Sequence, residues 1–344
     1  MATLSLCTLF CEINVQAQEV RFSQYQTIPL LVNPAFAGTQ SDYALHLNYR
    51  VQSVGLLAYK TGYFSFTMPL YDKAQEPRHV GGLSVGAIND MAGEAGEIKT
   101  NGLNISGAYS ILFDRFGVQS LTFGLQGEYM LTSIDFGTLN WPSQVTYYGF
   151  DPGRQPTDVL EGRNSFVRFN AGLIWSYNPA NNQLKNDQGP RFFLGFATSN
   201  LNSPQQSFLQ NDSYSLPLLY KLHGGSQIQL NQRVSLAPDF IVMTQNELYQ
   251  FTLGTLLNYE KEVKVTNNPS LTKLNFFAGS WYRSTDALVL LVGASNRRFN
   301  AAFSYDVNTV PAKAGIDGQG AVELSLSLKF LKEKELRKIS SPLF

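Results

Sequence analysis

Three histidines, His46, His79 and His223, are the side chains of this sequence best suited to metal ligation or acid–base chemistry. Their spacing supports neither. No HxxxH or HExxH pair exists, and no Cys/His cluster would complete a coordination sphere. Glu128 and Glu323 lie far apart in the chain, so sequence order pairs no two carboxylates for general acid–base work. The run Gly81-Gly82-Leu83-Ser84-Val85-Gly86 has the glycine density of a phosphate loop. No Lys follows at the required spacing and no helical pattern begins there, so close strand packing is the expectation. A Gly-x-Ser-x-Gly nucleophile elbow is also missing. These residues give no catalytic group, no metal site and no cofactor.

The elements that carry these residues are strands. Tyr43, Leu45, Leu47, Tyr49 and Val51 alternate with Ala44, His46, Asn48 and Arg50. Leu121, Phe123, Leu125, Tyr129 and Leu131 alternate with Thr122, Gly124, Gln126, Glu128 and Met130. The same period of two runs through Val167–Tyr177, Tyr249–Tyr259, Phe299–Asp306 and Val322–Phe330. These runs are about ten residues long, the length of a tilted membrane-crossing strand. Aromatic residues cluster at the ends of the apolar face, where bilayer interfaces would lie. The opposite face carries His46, Arg50, Glu128, Arg168, Lys221, His223, Glu323 and Lys329, which makes them candidate lumen-facing groups. Lumen hydrogen bonding is the expected role of His46 and His223.

Composition agrees. Charged residues make up 15% of the 344-residue chain, against about 25% in soluble domains. Aromatic residues reach 13%, and Lys plus Arg balances Asp plus Glu at a net charge of zero. A neutral chain without a basic run offers nucleic acid no electrostatic footprint. The opening stretch Ala2–Cys11 has the length and apolarity of a signal-peptide core, with Val15-Gln16-Ala17 as its processing site, so 1–17 reads as a signal peptide. Both cysteines, Cys7 and Cys11, fall inside it, which leaves the mature chain with no disulfide framework. The longest later apolar run, Ala287–Ala294, is far short of the roughly 20 residues that a membrane-spanning helix requires.

Fourteen segments carry strand character: 41–51, 61–69, 79–90, 100–113, 118–131, 165–177, 190–199, 218–230, 233–244, 247–259, 272–283, 286–295, 298–306 and 320–330. An even count suits an all-β transmembrane barrel of antiparallel strands with both termini in the periplasm. In that register the longest connections, 132–164, 200–217 and 307–319, fall on the outer side, and tight turns at Phe113–Gly117 and Leu230–Arg233 on the periplasmic side. Connections 178–189 and 260–271 are longer than the periplasmic side ordinarily has. The expected organisation is a signal peptide over 1–17, an N-terminal periplasmic or plug segment over 18–40, the barrel over 41–330 and a basic periplasmic tail over 331–344.

The pre-barrel segment contains Phe22-Ser23-Gln24-Tyr25 and then Pro29-Leu30-Leu31-Val32-Asn33-Pro34-Ala35-Phe36-Ala37-Gly38. This opening resembles that of the PorP/SprF family of outer-membrane proteins of type IX secretion and gliding motility. Ser133-Ile134-Asp135-Phe136, Leu139–Gln144, Ser199–Pro204, Trp281-Tyr282-Arg283, Phe303–Asp306 and Gly320–Leu326 resemble later landmarks. Val322 stands where a His is common in the family, and Ser341 where a Cys is frequent, which puts thiol chemistry of the tail in doubt. The resemblance implies a bacterial outer-membrane barrel that works with outer-membrane lipid around it. It also implies partners: secreted adhesins or other cargo bearing a type IX C-terminal domain, and periplasmic secretion machinery. Phe22, Ser23, Gln24, Tyr25, Asn33, Pro34, Phe36 and Gly38 are the candidate partner-binding or plug residues. Asn33-Pro34 through Gly38 reads equally as a turn feeding the first strand. A channel for small or hydrophobic solutes is the alternative function on the same fold.

Overall fold

The computed structural model describes residues 22–54, 57–72, 78–93, 96–135, 144–147, 149–151, 153–154, 162–181, 189–206, 215–265, 268–284, 286–309 and 320–330. The expected signal peptide and the basic tail lie outside these residues.

Alternation of apolar and polar residues dictates a sheet that buries one face and offers the other to an apolar solvent. The strands are β1 (Tyr43–Val54), β2 (Leu57–Asp72), β3 (Arg78–Ala92), β4 (Ile98–Leu112), β5 (Gln119–Ile134), β6 (Val145–Thr146), β7 (Gly149–Phe150) and β8 (Arg163–Tyr177). They continue with β9 (Arg191–Ser199), β10 (Leu219–Gln229), β11 (Val234–Gln245), β12 (Leu248–Val265), β13 (Asn268–Arg283), β14 (Ala287–Ser295), β15 (Phe299–Asn308) and β16 (Ala321–Phe330). Strands β6 and β7 form a small hairpin in the long connection after β5. The other fourteen make one closed antiparallel barrel, in which each strand pairs with the next in order. Strand β1 meets β16 from Tyr43↔Phe330 to Gln52↔Ala321 and closes the sheet. Closure leaves no unpaired edge along the wall, the condition for a sheet in hydrocarbon.

The outward rows are large and apolar. Ile105 and Leu125 are 68% and 69% exposed, a degree of exposure that a water-facing surface would not sustain across a whole sheet. Tyr49, Tyr129, Tyr249, Tyr259 and Tyr305 stand on the same outer face. Among the described residues no helix is long and apolar enough to cross a membrane. Residues that begin β1 and end β16 define a near rim; the long connections 135–162, 200–218 and 309–320 all leave from the far rim.

Two expectations need correction. The connection 260–271 is not a loop, because β12 and β13 continue through it and pair as far as Val265↔Asn268. Beyond Tyr259↔Val234 the hairpin has outrun β11 and stands clear of the wall. Its charges explain why: Glu260, Lys261, Glu262 and Lys273 belong in water, and Lys273 Nζ donates to Glu260 at 2.7 Å in an exposed pair. The lumen face is also less polar than alternation implies. Ile174, Ile241, Met130, Phe277, Trp281, Val289 and Leu291 point inward and are buried. Apolar side chains inside the barrel need something apolar to pack on.

If β12 leaves the bilayer after Tyr259, a cysteine at Lys261 is labelled by a membrane-impermeant maleimide in proteoliposomes. A cysteine at Leu253, mid-wall and lipid-facing, stays unlabelled until detergent is added. Equal labelling of the two would place the rim elsewhere.

A candidate functional site in the filled lumen

A barrel of about eight strands can be filled by its own side chains, and a larger one leaves space. Here the space is taken by the chain ahead of β1. Residues 22–39 form three short turns, Tyr25–Thr27, Pro29–Val32 and Pro34–Gly38. Pro29 and Pro34 open the second and third, where a missing N–H costs nothing. Asn33 caps the third by accepting Ala35 N–H on Oδ1 at 2.9 Å. Ser23 lies among Arg50, Arg283 and Asp306, towards the far rim. Gly38 lies against Ala108, Ser110 and Thr122, towards the near rim. The segment therefore runs down the lumen from the far half and emerges into β1.

Its apolar side chains account for the inward apolar rows. Phe22 and Ile28 pack with Tyr63, Ile88 and Met130. Val32, Ala35 and Phe36 pack with Ile174 and Ile241. Phe36 stacks on the His223 ring with centroids 5.3 Å apart.

Its polar groups are met by the wall. The buried Glu323 carboxylate accepts Ser23 N–H at 2.7 Å and Gln24 N–H at 3.3 Å. Gln24, fully buried, donates to Ser304 Oγ and the Glu323 carbonyl at 3.0 Å each and accepts from Ser325 Oγ at 2.6 Å. Ser23 Oγ donates to Asp306 at 2.7 Å and accepts from Arg50. Asp306 is bridged by Arg50 and Arg283 at 2.9 Å each, and Arg283 also pairs with Asp286 at 2.5 Å. Tyr25 Oη and Trp281 Nε1 both donate to Asp239 Oδ1 at 2.5 Å, and Gln26 donates to its other oxygen at 2.9 Å. Burial and then the Asp239 charge push the Tyr25 hydroxyl well above its ordinary value, which keeps it a donor. Asn33 Nδ2 reaches the Leu173 and Phe196 carbonyls at 3.1 and 3.2 Å and His223 Nε2 at 3.0 Å. Lys221 Nζ donates to the Leu31 carbonyl at 2.8 Å.

The structure thus joins Ser23, Gln24, Arg50 and Glu323 in one network. It joins Asn33, Phe36 and His223 in a second, with Lys221 beside it. Glu128 and Arg168 form a separate buried pair at 2.7 Å on β5 and β8. His46 is in neither network; its Nδ1 meets Ser327 Oγ across the β1–β16 seam at 2.8 Å. Lys329 stands at the near end of that seam, half-buried. Four groups central to the networks were not singled out from sequence: Asp306, Arg283, Trp281 and Asp239. The first three fall in landmark motifs, and Asp306 on a polar row. Asp239 follows Pro238, which interrupts pairing of β11 with β10 between Gly225↔Asp239 and Ile228↔Leu236 and hides its face.

Three wall glycines make room for the segment. A Cβ on Gly124 would lie 2.2 Å from Ala35 N, one on Gly82 1.9 Å from the Ala37 carbonyl oxygen, and one on Gly172 2.0 Å from Asn33 Oδ1. Gly124→Val is therefore expected to displace residues 34–37, lower barrel stability by about 1–3 kcal/mol and raise single-channel conductance. Gly127→Val on the outer face, where a Cβ meets only the Phe169 ring at 3.7 Å, should change neither. Thermal unfolding and planar-bilayer recordings of both variants check this.

No match was found among curated proteins. A solved structure shares the fold. The Ralstonia pickettii toluene transporter TbuX aligns at a TM-score of 0.50 and 12% identity, covering 89% of this chain and 94% of that one. A Pseudomonas aeruginosa FadL homologue aligns at 0.47 and 12% identity, covering 87% and 93%. At such identity the TbuX match speaks to the barrel fold alone. The sequence itself matches the model of the type IX secretion system membrane protein PorP/SprF over residues 14–328. With the closed fourteen-strand wall described above, that match makes this chain an outer-membrane β-barrel that belongs to the PorP/SprF family of type IX secretion.

Proposed function

We propose that the protein is a non-enzymatic component of type IX secretion that holds an exported surface protein at the outer membrane and contacts periplasmic machinery at its near rim. The observation that carries this reading is the filled lumen. Residues 22–39 are bound to the wall by buried and partly buried hydrogen bonds on both of the barrel's closing strands and on its opposite side. A barrel so occupied is a poor conduit and a rigid support. Work is then left to its rims, and loops on a rigid scaffold are where recognition is ordinarily placed. The far rim offers the long connections, with Val145 and Tyr147 of the β6–β7 hairpin at 62% and 98% exposure. In this reading the candidate residues of the opening motif act as the plug and reach partners only through the surfaces that they stabilise.

Affinity purification of the barrel from native outer membranes should recover one secreted protein with a type IX C-terminal domain in roughly stoichiometric amount. Repeated recovery of the barrel with neither cargo nor machinery would sink the proposal. The intact protein should also show little conductance in planar bilayers. Robust solute-selective conductance would favour the channel alternative instead.

A further inference from the structure

On the lipid-facing side of β16 and β1–β4 the wall is hollowed. A depression of about 750 Å³ lies there. Its outward positions Gly62 and Ala87 are small, while Tyr49, Phe64, Leu103 and Leu324 stand exposed around them. Register fixes the layout. Leu47, Phe64, Ala87 and Leu103 pair across β1–β4 in one row. Tyr49, Gly62, Asn89 and Asn101 form the next outward row towards the far rim.

That second row breaks the apolar outer face. Asn89 Nδ2 donates to Asn101 Oδ1 at 2.8 Å on the exposed side of the sheet. Asn89 Oδ1 and Asn101 Nδ2 make no other bond to protein among the described residues. An amide at the margin of hydrocarbon is costly until its remaining donor and acceptor are met.

One outward row further on stand Lys60 and Lys99, in the register Lys60↔Met91↔Lys99. Both are exposed, and neither forms an ion pair among the described residues. Two strand spacings set their backbones about 10 Å apart. Nearby carboxylates point elsewhere. Asp90 lines the lumen and accepts from Thr61 Oγ1 at 2.5 Å, and the Glu97 carboxylate is folded over the turn at Gly93. Cations so placed at a membrane surface attract anionic headgroups.

We propose that this patch is a specific site for an anionic phospholipid. An acyl chain fills the depression, an ester carbonyl accepts from Asn101 Nδ2, and the phosphate lies between Lys60 and Lys99. Asn89 Oδ1 is left to a headgroup hydroxyl. Apolar hollow, amide pair and cations follow one another along the strands at steps of two residues, about 7 Å each. A phospholipid presents its chain, linkage and phosphate in that same order. A zwitterionic headgroup brings its own cation to the lysines and matches them less well. The site is independent of the anchoring role proposed above.

Native mass spectrometry of the full-length barrel in detergent, with dioleoylphosphatidylglycerol and dioleoylphosphatidylcholine added at equal concentration, tests this. One phosphatidylglycerol should be retained, at least fivefold in preference to phosphatidylcholine. Lys60→Gln with Lys99→Gln should abolish that preference. Lys261→Gln with Lys273→Gln, exposed lysines of the near-rim hairpin, should leave it intact. Gly62→Leu, whose Cβ meets only Tyr49 and the Asn89 carbonyl at 3.9 and 4.0 Å, should fill the depression and weaken phosphatidylglycerol retention at least fivefold. Heat-modifiable migration confirms that each variant is folded; if Gly62→Leu is not, the lysine comparison decides alone. In native membranes, a benzophenone amino acid in place of Leu103 should give a lipid-sized adduct. Equal retention of the two lipids, a preference that survives loss of Lys60 and Lys99 or falls equally with Lys261 and Lys273, undiminished retention in Gly62→Leu, or a cross-link to protein in place of lipid would overturn the proposal.

Discussion

A segment of irregular backbone inside a barrel must have its peptide groups satisfied there, since no regular ladder supplies partners. Most of the inward residues can be understood from this constraint. The turns of residues 22–39 are too short to satisfy themselves, so wall side chains finish the work. Glu323 takes two N–H groups near the start, Lys221 and Gln126 reach the Leu31 and Leu30 carbonyls in the middle, and Ser110 donates to the Gly38 carbonyl at the end. The wall supplies an acceptor where the segment presents N–H groups and donors where it presents carbonyls.

The same constraint explains how so many charges tolerate burial. Arg50 and Arg283 face Asp306 and Glu323, two cations against two anions, with Asp286 on the outer flank of Arg283. A buried ion pair adds little net stability, but removing one member leaves its partner stranded at a cost of about 3–5 kcal/mol. The cluster therefore acts through position. Ser23 fits where its hydroxyl can serve both signs at once, and no slipped register of the segment would satisfy all four groups.

The barrel was largely legible in the sequence because its signal is local: period two, aromatic ends and loop lengths are all visible within a few dozen residues. All fourteen segments became wall strands. Two features escaped for a physical reason. The β12–β13 hairpin loses its apolar alternation once it leaves hydrocarbon, so its continuing strands looked like a loop. Val289 and Leu291 point inward and made β14 apolar on both faces, because what they face is protein. The opening motif marked the segment that fills the lumen, but its partners stand up to 301 positions away. Nothing in Glu323 or Asp306 alone announces Ser23. Long-range polar pairing has no periodicity to read.

One further consequence concerns the seam where β1 meets β16. Asn48 and Arg50 on one side, and Glu323 and Ser325 on the other, all hold residues 23–27. Synthesis delivers that segment before any strand, and its binding site is complete only when the last strand arrives. The barrel's two ends thus recognise each other partly through a third party already lodged between them. An empty cylinder would zip shut over an uncovered carboxylate and guanidinium, and would do so reluctantly. Filling and closing become a single event, and a chain that has lost its opening segment is unable to complete its circumference on favourable terms.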